Sequence, residues 1–308
     1  MLNEVGFEGR VAIVTGAARG LGREHSLLLA SRGAAVVVND VGCALDGTGA
    51  DASIADGLAR AIRSAGGEAT SDAHDVSTRS GGAALVELAL QTYGRVDIVV
   101  NNAGILRDRT MQNVAPDELD AVLGVHLKGA FNVSKPAFAL MREQGYGRIV
   151  STSSGAGLFG NFGQAAYGAA KMALVGLTRV LAVEGARRGI LANAIAPIAH
   201  TRMTRDLMGP EGEAFLPSLV APVVGFLCSE ACDVSGEVYS VGAGRVARVF
   251  VAEARGICSS TLTIEDVRDR LTDIRAEAGY AVPIDMPDNM RLFQRALAHA
   301  APQIDPPR

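Results

Sequence analysis

A short apolar run that empties into a glycine-rich turn, and then into a helix, narrows the folds open to this chain. Arg10–Thr15 reads RVAIVT, which suits a strand of a parallel sheet buried on both faces. Gly16, Ala17, Ala18, Arg19, Gly20, Leu21 and Gly22 follow, spaced G-x-x-x-G-x-G, and then a helical stretch, REHSLLLASRG. The glycines allow a tight strand-to-helix turn and close approach of a pyrophosphate, whose charge the exposed amides and the helix dipole favour. A plain glycine turn would share this spacing. The strand before it and the helix after it favour a nucleotide site, with Gly16, Arg19, Gly20, Leu21 and Gly22 as its residues. Strand and helix patterns alternate without an evident linker to about Gly244. The fold class expected is therefore α/β, a doubly wound parallel (Rossmann-like) sheet over residues 1–245. A C-terminal extension, residues 246–308, is expected to pack on it.

The next strand, Ala34–Asn39, ends in Asp40. A carboxylate there can accept hydrogen bonds from an adenosine ribose and would repel a 2′-phosphate, which favours NAD over NADP. Arg19 argues the other way, since a basic side chain in this loop could meet that phosphate; Asp40 carries more weight because it sits where the phosphate would go. A solvated strand end is the plainer alternative for Asp40. Asp75 and Val76 are expected to close over the adenine. Val96–Val100 is a further buried strand, running into Asn101, Asn102, Ala103 and Gly104. Adjacent amides at the carboxyl end of a parallel strand can tie neighbouring strands together and line the cofactor cleft.

Tyr167 and Lys171 stand one helical turn apart in AAYGAAKMALVGL, and Ser154 precedes the tyrosine by thirteen residues. A phenol can act as acid or base toward a substrate oxygen. A lysine at i+4 lies on the same helix face. A serine from a preceding strand end can hold the oxygen. An unperturbed tyrosine, with a pKa of about 10, is too weakly acidic to serve as a base at neutral pH, and a fixed positive charge nearby lowers it. Alone, the Tyr–Lys spacing is that of an ordinary helix face; the nucleotide site upstream gives it meaning.

Together these pieces resemble the short-chain dehydrogenase/reductases: TGAARGLG at 15–22, NNAG at 101–104, Ser154, Tyr167, Lys171, then Asn193 and Pro197. The resemblance covers roughly residues 6–245. Within the family the chain is most similar to the (3R)-hydroxyacyl-CoA dehydrogenase subgroup found in peroxisomal multifunctional enzymes of type 2 and bacterial relatives, through VVVNDVG, VHLKGAFNVSKPAF, STSSGAGLFGNFGQAAYGAAK and NAIAPIAHTRMT. The resemblance implies an oxidoreductase that moves hydride between a secondary alcohol and NAD. Tyr167 would be the acid/base, Lys171 would hold the nicotinamide ribose and Ser154 would orient the substrate. The substrate implied is a (3R)-hydroxyacyl-CoA or a bulky acyl thioester. A steroid or other hydrophobic alcohol dehydrogenase, an NADPH-dependent 3-oxoacyl-thioester reductase, and a non-catalytic NAD-sensing protein are the alternatives.

Two departures stand out. His126 occupies a helix position where many members carry asparagine; it is expected either to relay protons with the trio or to pin the helix by packing. Pro197-Ile198 replaces the usual Pro-Gly, and Ile198 cannot easily take glycine-type backbone angles. Both residues are kept as cofactor contacts.

Composition sets limits on partners. With 5% aromatic residues, no Trp and a net charge of −4, neither stacking on nucleic acid nor phosphate-backbone binding is expected. The partners expected are a small-molecule substrate, acyl-CoA or steroid-like, and copies of the chain itself. Cys43, Cys228, Cys232 and Cys258 form no metal-ligand pattern, so no metal is expected, and free thiols suit a cytoplasmic setting. No uninterrupted apolar span reads as long enough for a membrane helix, and the ending DPPR is not a peroxisomal address of the SKL type. Long helices over Ala115–Met141 and Gln164–Arg188 carry apolar residues beyond one face, which suggests a homodimer or homotetramer. The loop Gly42–Ser53 either covers the adenosine end of the cofactor or receives a large substrate, or is a passive insertion. In the extension, Val246–Ala252 reads as a strand. A helix capped by Thr263 is expected to run to Ala278, and another to span Asp288–His299.

Overall fold

The computed structural model describes residues 4–300, which form two compact units divided after Val249. In the first unit the strands are β1 (Val11–Thr15), β2 (Ala35–Asn39), β3 (Glu68–Asp72), β4 (Ile98–Asn101), β5 (Gly147–Thr152), β6 (Ile190–Pro197), β7 (Val238–Gly242) and β8 (Arg245–Val249). They make one sheet in the order β3-β2-β1-β4-β5-β6-β7-β8, parallel throughout except for β8. Every residue of β1, β2, β4 and β5 is buried. Because side chains alternate across a strand, β1 feeds two cores: Ala12 and Val14 join one cluster, with Leu29, Leu58 and Val224. Val11 and Ile13 join the other, with Leu85, Val133 and Leu181. The sheet edges carry charge instead, Glu68 on β3 and Arg245 and Arg248 on β8, which discourages edge-to-edge pairing.

The helices of this unit are α1 (Gly20–Ser31), α2 (Ser53–Ser64), α3 (Arg79–Tyr93), α4 (Pro116–Leu123), α5 (Gly129–Gln144), α6 (Gly155–Phe159), α7 (Ala165–Gly185), α8 (Arg205–Met208) and α9 (Ala221–Cys228). The strand order reverses between β1 and β4, and in such sheets ligands bind in the crevice at the carboxyl ends of the strands on either side of that switch.

Several expectations shift. The single helix expected over Ala115–Met141 is α4 and α5 joined by a π-helical turn at Gly124–Lys128. The strand expected at Val246–Ala252 is β8. It pairs antiparallel with β7, so the boundary expected at 245/246 falls instead after Val249. By length and composition Ala165–Arg188 is apolar enough to cross a membrane, contrary to the expectation from sequence; 44% of its most apolar window is buried in the fold, as for a helix laid on a sheet.

The second unit holds α10 (Ile264–Asp269), α11 (Leu271–Ile274) and α12 (Met286–Ala300). Thr263 caps α10 in a reciprocal pair with Asp266, as expected. The helix does not run on to Ala278: it breaks at Arg270 and ends at Ile274. Phe250 stacks on Tyr280 at 5.9 Å, and Glu253 pairs with Ala281 through two main-chain hydrogen bonds.

Candidate active site

The glycine turn lies at the switch point, and its fit to a phosphate-bearing cofactor rests on space. Gly16 has φ +58°, and a Cβ there would come within 2.8 Å of the Ala103 Cα. A Cβ on Gly22 would meet the Gly16 carbonyl at 2.2 Å and the Asn102 amide nitrogen at 2.6 Å. Gly20, at φ +53°, begins α1. Arg19 precedes α1 without capping it through its side chain, and the first turn holds no acid, which leaves the helix N-terminus to an anion. Leu21 is half-buried and packs against the core cluster that Ala12 and Val14 of β1 join. These residues fit a dinucleotide.

The turn is braced from β4. Asn102 donates to the Thr15 and Gly16 carbonyls, each at 3.0 Å, while the Thr15 hydroxyl accepts from the amides of Asn102 and Ala103, also at 3.0 Å. The expected tie between strands is present, and Thr15, which sequence reasoning left out, is half of it. Asn101 points elsewhere and donates to Ser134 at 2.9 Å.

Asp40 is buried at the end of β2, accepting from the amides of Ala18 at 3.1 Å and Gly42 at 2.8 Å. It is thus held against the glycine turn, not solvated. Arg19 approaches it at 3.8 Å and donates to the Cys43 carbonyl at 2.9 Å, which Arg202 also approaches at 3.4 Å. The Gly42–Ser53 loop is fastened to the segment after β4: Leu106 N–H donates to the Leu45 carbonyl at 2.8 Å, and Arg107 to the Asp46 carbonyl at 2.9 Å. Asp75 is exposed and turns back on its own loop, accepting from the Ser77 amide at 2.8 Å, while Val76 is buried against Gly129. At the end of β3, Asp72 accepts from Asn39 and His74, another pair that sequence reasoning passed over.

The second half of the site comes from β5 and α7. Ser154 is the N-cap of α6, where its hydroxyl accepts from the Ala156 amide at 3.2 Å. Burial pushes the Tyr167 phenol above its usual range; a hydrogen bond with Ser154 pulls it back in part, and the Asp108 charge pushes it further up. Lys171 is fully buried, donates to the Thr152 carbonyl at 2.5 Å, and is brought down to about 7 by desolvation. Its nitrogen lies 5.6 Å from the Tyr167 ring centroid. The expected lowering of the tyrosine by the lysine is therefore not what the protein alone provides: desolvation is the largest effect at both groups, and the charge that acts on the tyrosine, Asp108, adds to it.

His126 sits in the π-helical turn, edge-on to Tyr167 at 5.3 Å between centroids. Its Nε2 lies 2.9 Å from the Ile105 carbonyl and 3.2 Å from the Ile105 amide, of which one tautomer can serve only one. Burial, aided by the Lys171 charge, lowers it to about 3, so the ring stays neutral at working pH. Nδ1 has no hydrogen-bond partner among the described residues. Pinning the exit of β4 is what this geometry does.

Pro197 ends β6 opposite Val241, and the Ile198 amide continues the pairing to the Val241 carbonyl at 2.8 Å. Among described non-glycine residues only Ala243 has positive φ. Ile198 is therefore not asked for glycine-type angles. Asn193, deeper in β6, donates to the Val234 carbonyl at 2.8 Å and accepts from the Glu237 amide at 3.1 Å, tying β6 to the segment before β7. No group of histidine, cysteine or acidic side chains suited to a metal occurs among the described residues.

A family model for short chain dehydrogenases matches residues 10–211. The chain belongs to the short-chain dehydrogenase family. It is 49% identical over 276 residues, 89% of this chain and 96% of the other, to a short-chain type dehydrogenase/reductase of Mycobacterium tuberculosis. It is 43% identical over 255 residues to a hydroxyacyl-CoA dehydrogenase of the same organism, covering 78% of this chain and 79% of that one. Peroxisomal multifunctional enzyme type 2 of Drosophila melanogaster is 46% identical over 270 residues, 85% of this chain but 44% of the enzyme. The full-length structure of that enzyme superposes with a TM-score of 0.81 at 36% identity, over 96% of this chain and 50% of the other. This chain thus spans about half of that relative. A 7α-hydroxysteroid dehydrogenase solved with NADH and 7-oxo glycochenodeoxycholic acid superposes with a TM-score of 0.72 at 28% identity, over 79% of this chain and 98% of that one. The chain is accordingly an oxidoreductase acting on CH–OH groups and using a nicotinamide cofactor.

Proposed function

We propose that this chain is an NAD-dependent dehydrogenase that oxidises the hydroxyl of a (3R)-hydroxyacyl-CoA, or of a bulky acyl thioester, to the ketone. The observation that carries the reading is the meeting of Ser154, Tyr167 and Lys171 beyond the carboxyl end of β5, in the same parallel sheet whose β1 leads into the glycine turn. A nicotinamide cofactor, when bound, supplies the hydride chemistry. Gly16, Gly20 and Gly22 would cradle its phosphates, Asp40 its adenosine ribose, and Lys171 the ribose next to the nicotinamide. Tyr167 takes the substrate hydroxyl proton and Ser154 holds the oxygen it leaves. Asp40 favours NAD, since its buried carboxylate would face a 2′-phosphate at close range. The hydroxyacyl-CoA relative and the multifunctional enzymes support the thioester class. Exposed Phe131, Met172, Val180 and Val183 on α5 and α7 offer an apolar surface for a second copy of the chain.

The test is absorbance at the NADH band with hydroxyacyl-CoAs, steroids and simple alcohols, each with NAD and NADP. Turnover of thioesters with NAD is expected, and Asp40→Ala should weaken the preference for NAD. Turnover of steroids but not thioesters would replace the substrate class. A preference for NADP would overturn the role of Asp40.

A further inference from the structure

Asp108 lies in the segment after β4, outside every motif discussed above. Gln164 precedes Tyr167 by three residues and is the N-cap position of α7. Its side-chain nitrogen donates to Asp108 Oδ2 at 2.8 Å, and its oxygen accepts from Asn161 at 2.9 Å. Arg109 and Gln164 form an isolated β-bridge, and the Ala165 amide donates to the Arg109 carbonyl at 3.4 Å. The segment that carries Asp108 is therefore laced to the first turn of the helix that carries Tyr167.

The carboxylate is not neutralised. Oδ1 is shut from solvent and accepts from no donor among the described residues. Arg109, next in sequence, sends its guanidinium to Glu118 at 3.3 Å and to the Asp108 main-chain carbonyl at 2.9 Å, not to the Asp108 side chain. A buried carboxylate oxygen without a donor is costly, so its retention beside a reactive phenol calls for a reason.

We propose that Asp108 is a positioning residue for proton transfer: tethered to the start of α7 through Gln164, its carboxylate sets a negative charge on the Tyr167 side of the site and holds that residue in the form of an acid. A like charge disfavours the phenolate. Of the other groups around the phenol only Lys171 bears an opposing charge, and it is lost as pH rises through about 7. Ser154, at the cap of α6, is neutral. His126, from the π-helical turn, stays neutral because burial lowers it to about 3. Lys171, on α7 itself, is held to the Thr152 carbonyl and lowered to about 7. The consequence is a phenol that stays protonated to higher pH, where it is available as the acid in the reducing direction, and that needs higher pH to act as the base.

This inference rests on Tyr167 being the acid/base of the proposed reaction. The experiment is the pH dependence of kcat/KM for alcohol oxidation by the full chain with NAD, in wild type, Asp108→Asn and Tyr167→Phe, with melting temperatures in parallel. Asparagine keeps an oxygen that can accept from Gln164 and removes only the charge. The acid limb should move to lower pH, on the order of half a unit, with little change in melting temperature. An unmoved limb in folded Asp108→Asn, with Tyr167→Phe inactive, overturns the role of Asp108 alone. Turnover by Tyr167→Phe overturns the reading beneath it. Should the asparagine variant not fold, Asp108→Ser gives the same reading of the limb.

Discussion

Lys171 takes its ammonium into a fully buried position with the Thr152 carbonyl 2.5 Å away, and burial brings it from 10.5 to about 7. The sign of the linkage follows. Between about 7 and 10.5 the unfolded chain holds more protons than the folded one, so stability rises with pH across that window and is lost as pH falls through it. Lys171→Met should remove this slope and raise stability at pH 7, by a few kcal/mol on the order-of-magnitude scale of such shifts, while abolishing turnover. Melting temperatures of both proteins from about pH 6 to 10 measure it; a wild-type curve flat over that range would show that Lys171 is not depressed. At this scale the glycine turn, Asp40, Ser154, Tyr167 and Lys171 stand out in the sequence, because each is a particular residue type at a particular spacing. Thr15, Asp108 and Gln164 do not. Their roles come from contacts made across the fold, Thr15 with Asn102 and Asp108 with Gln164, and nothing local marks either pair.

Among the elements, three buried parallel strands, β1, β2 and β4, are legible to within two residues, since apolar runs on both faces leave little choice. The π-helical turn at Gly124–Lys128 is not, because one extra residue per turn leaves the apolar pattern almost unchanged. Its effect is specific all the same: it sets His126 against the exit of β4, where a Cβ on Gly104 would lie 2.4 Å from His126 Cε1. Gly104→Ala should therefore destabilise the chain by about 1–3 kcal/mol, the range for overpacking a tight site. His126→Ala should also destabilise it by loosening Ile105, and should leave the pH profile of turnover unchanged above about pH 5, because the ring is already neutral there. Combined, the two changes should cost less than their sum, the second vacating the space the first fills. Chemical denaturation of both single variants and the double variant gives the coupling. Strict additivity would mean that the ring does not rest on Gly104, and an altered pH profile in His126→Ala would restore the relay reading.

For the whole molecule, the informative boundary is the one between Gly244 and Phe250. The sequence changes character after Gly244, which is why the division was expected there. The change marks a reversal of strand direction, not the end of the sheet. β8 pairs with β7 over five residues, from Val238 with Val249 to Gly242 with Arg245, and Arg248 reaches Glu237 at 3.0 Å. Removing β8 would leave β7 as an open edge with its main-chain groups unpaired, a template for association with other chains. A chain ending at Val249 keeps that edge closed and loses only the second unit, in which Phe250 stacks on Tyr280 and Glu253 pairs with Ala281. The chain ending at Val249 should unfold in one cooperative transition and bind NADH with near-parental affinity, since the glycine turn, Asp40, Tyr167 and Lys171 all lie in the first unit. The chain ending at Gly244 should melt lower and aggregate. Calorimetry, light scattering and NADH fluorescence titration on the two truncated chains decide the matter. If both behave alike and remain monodisperse, β8 is dispensable to the sheet. If neither folds, the first unit does not stand on its own, and the second must be counted among the elements that stabilise the dinucleotide fold.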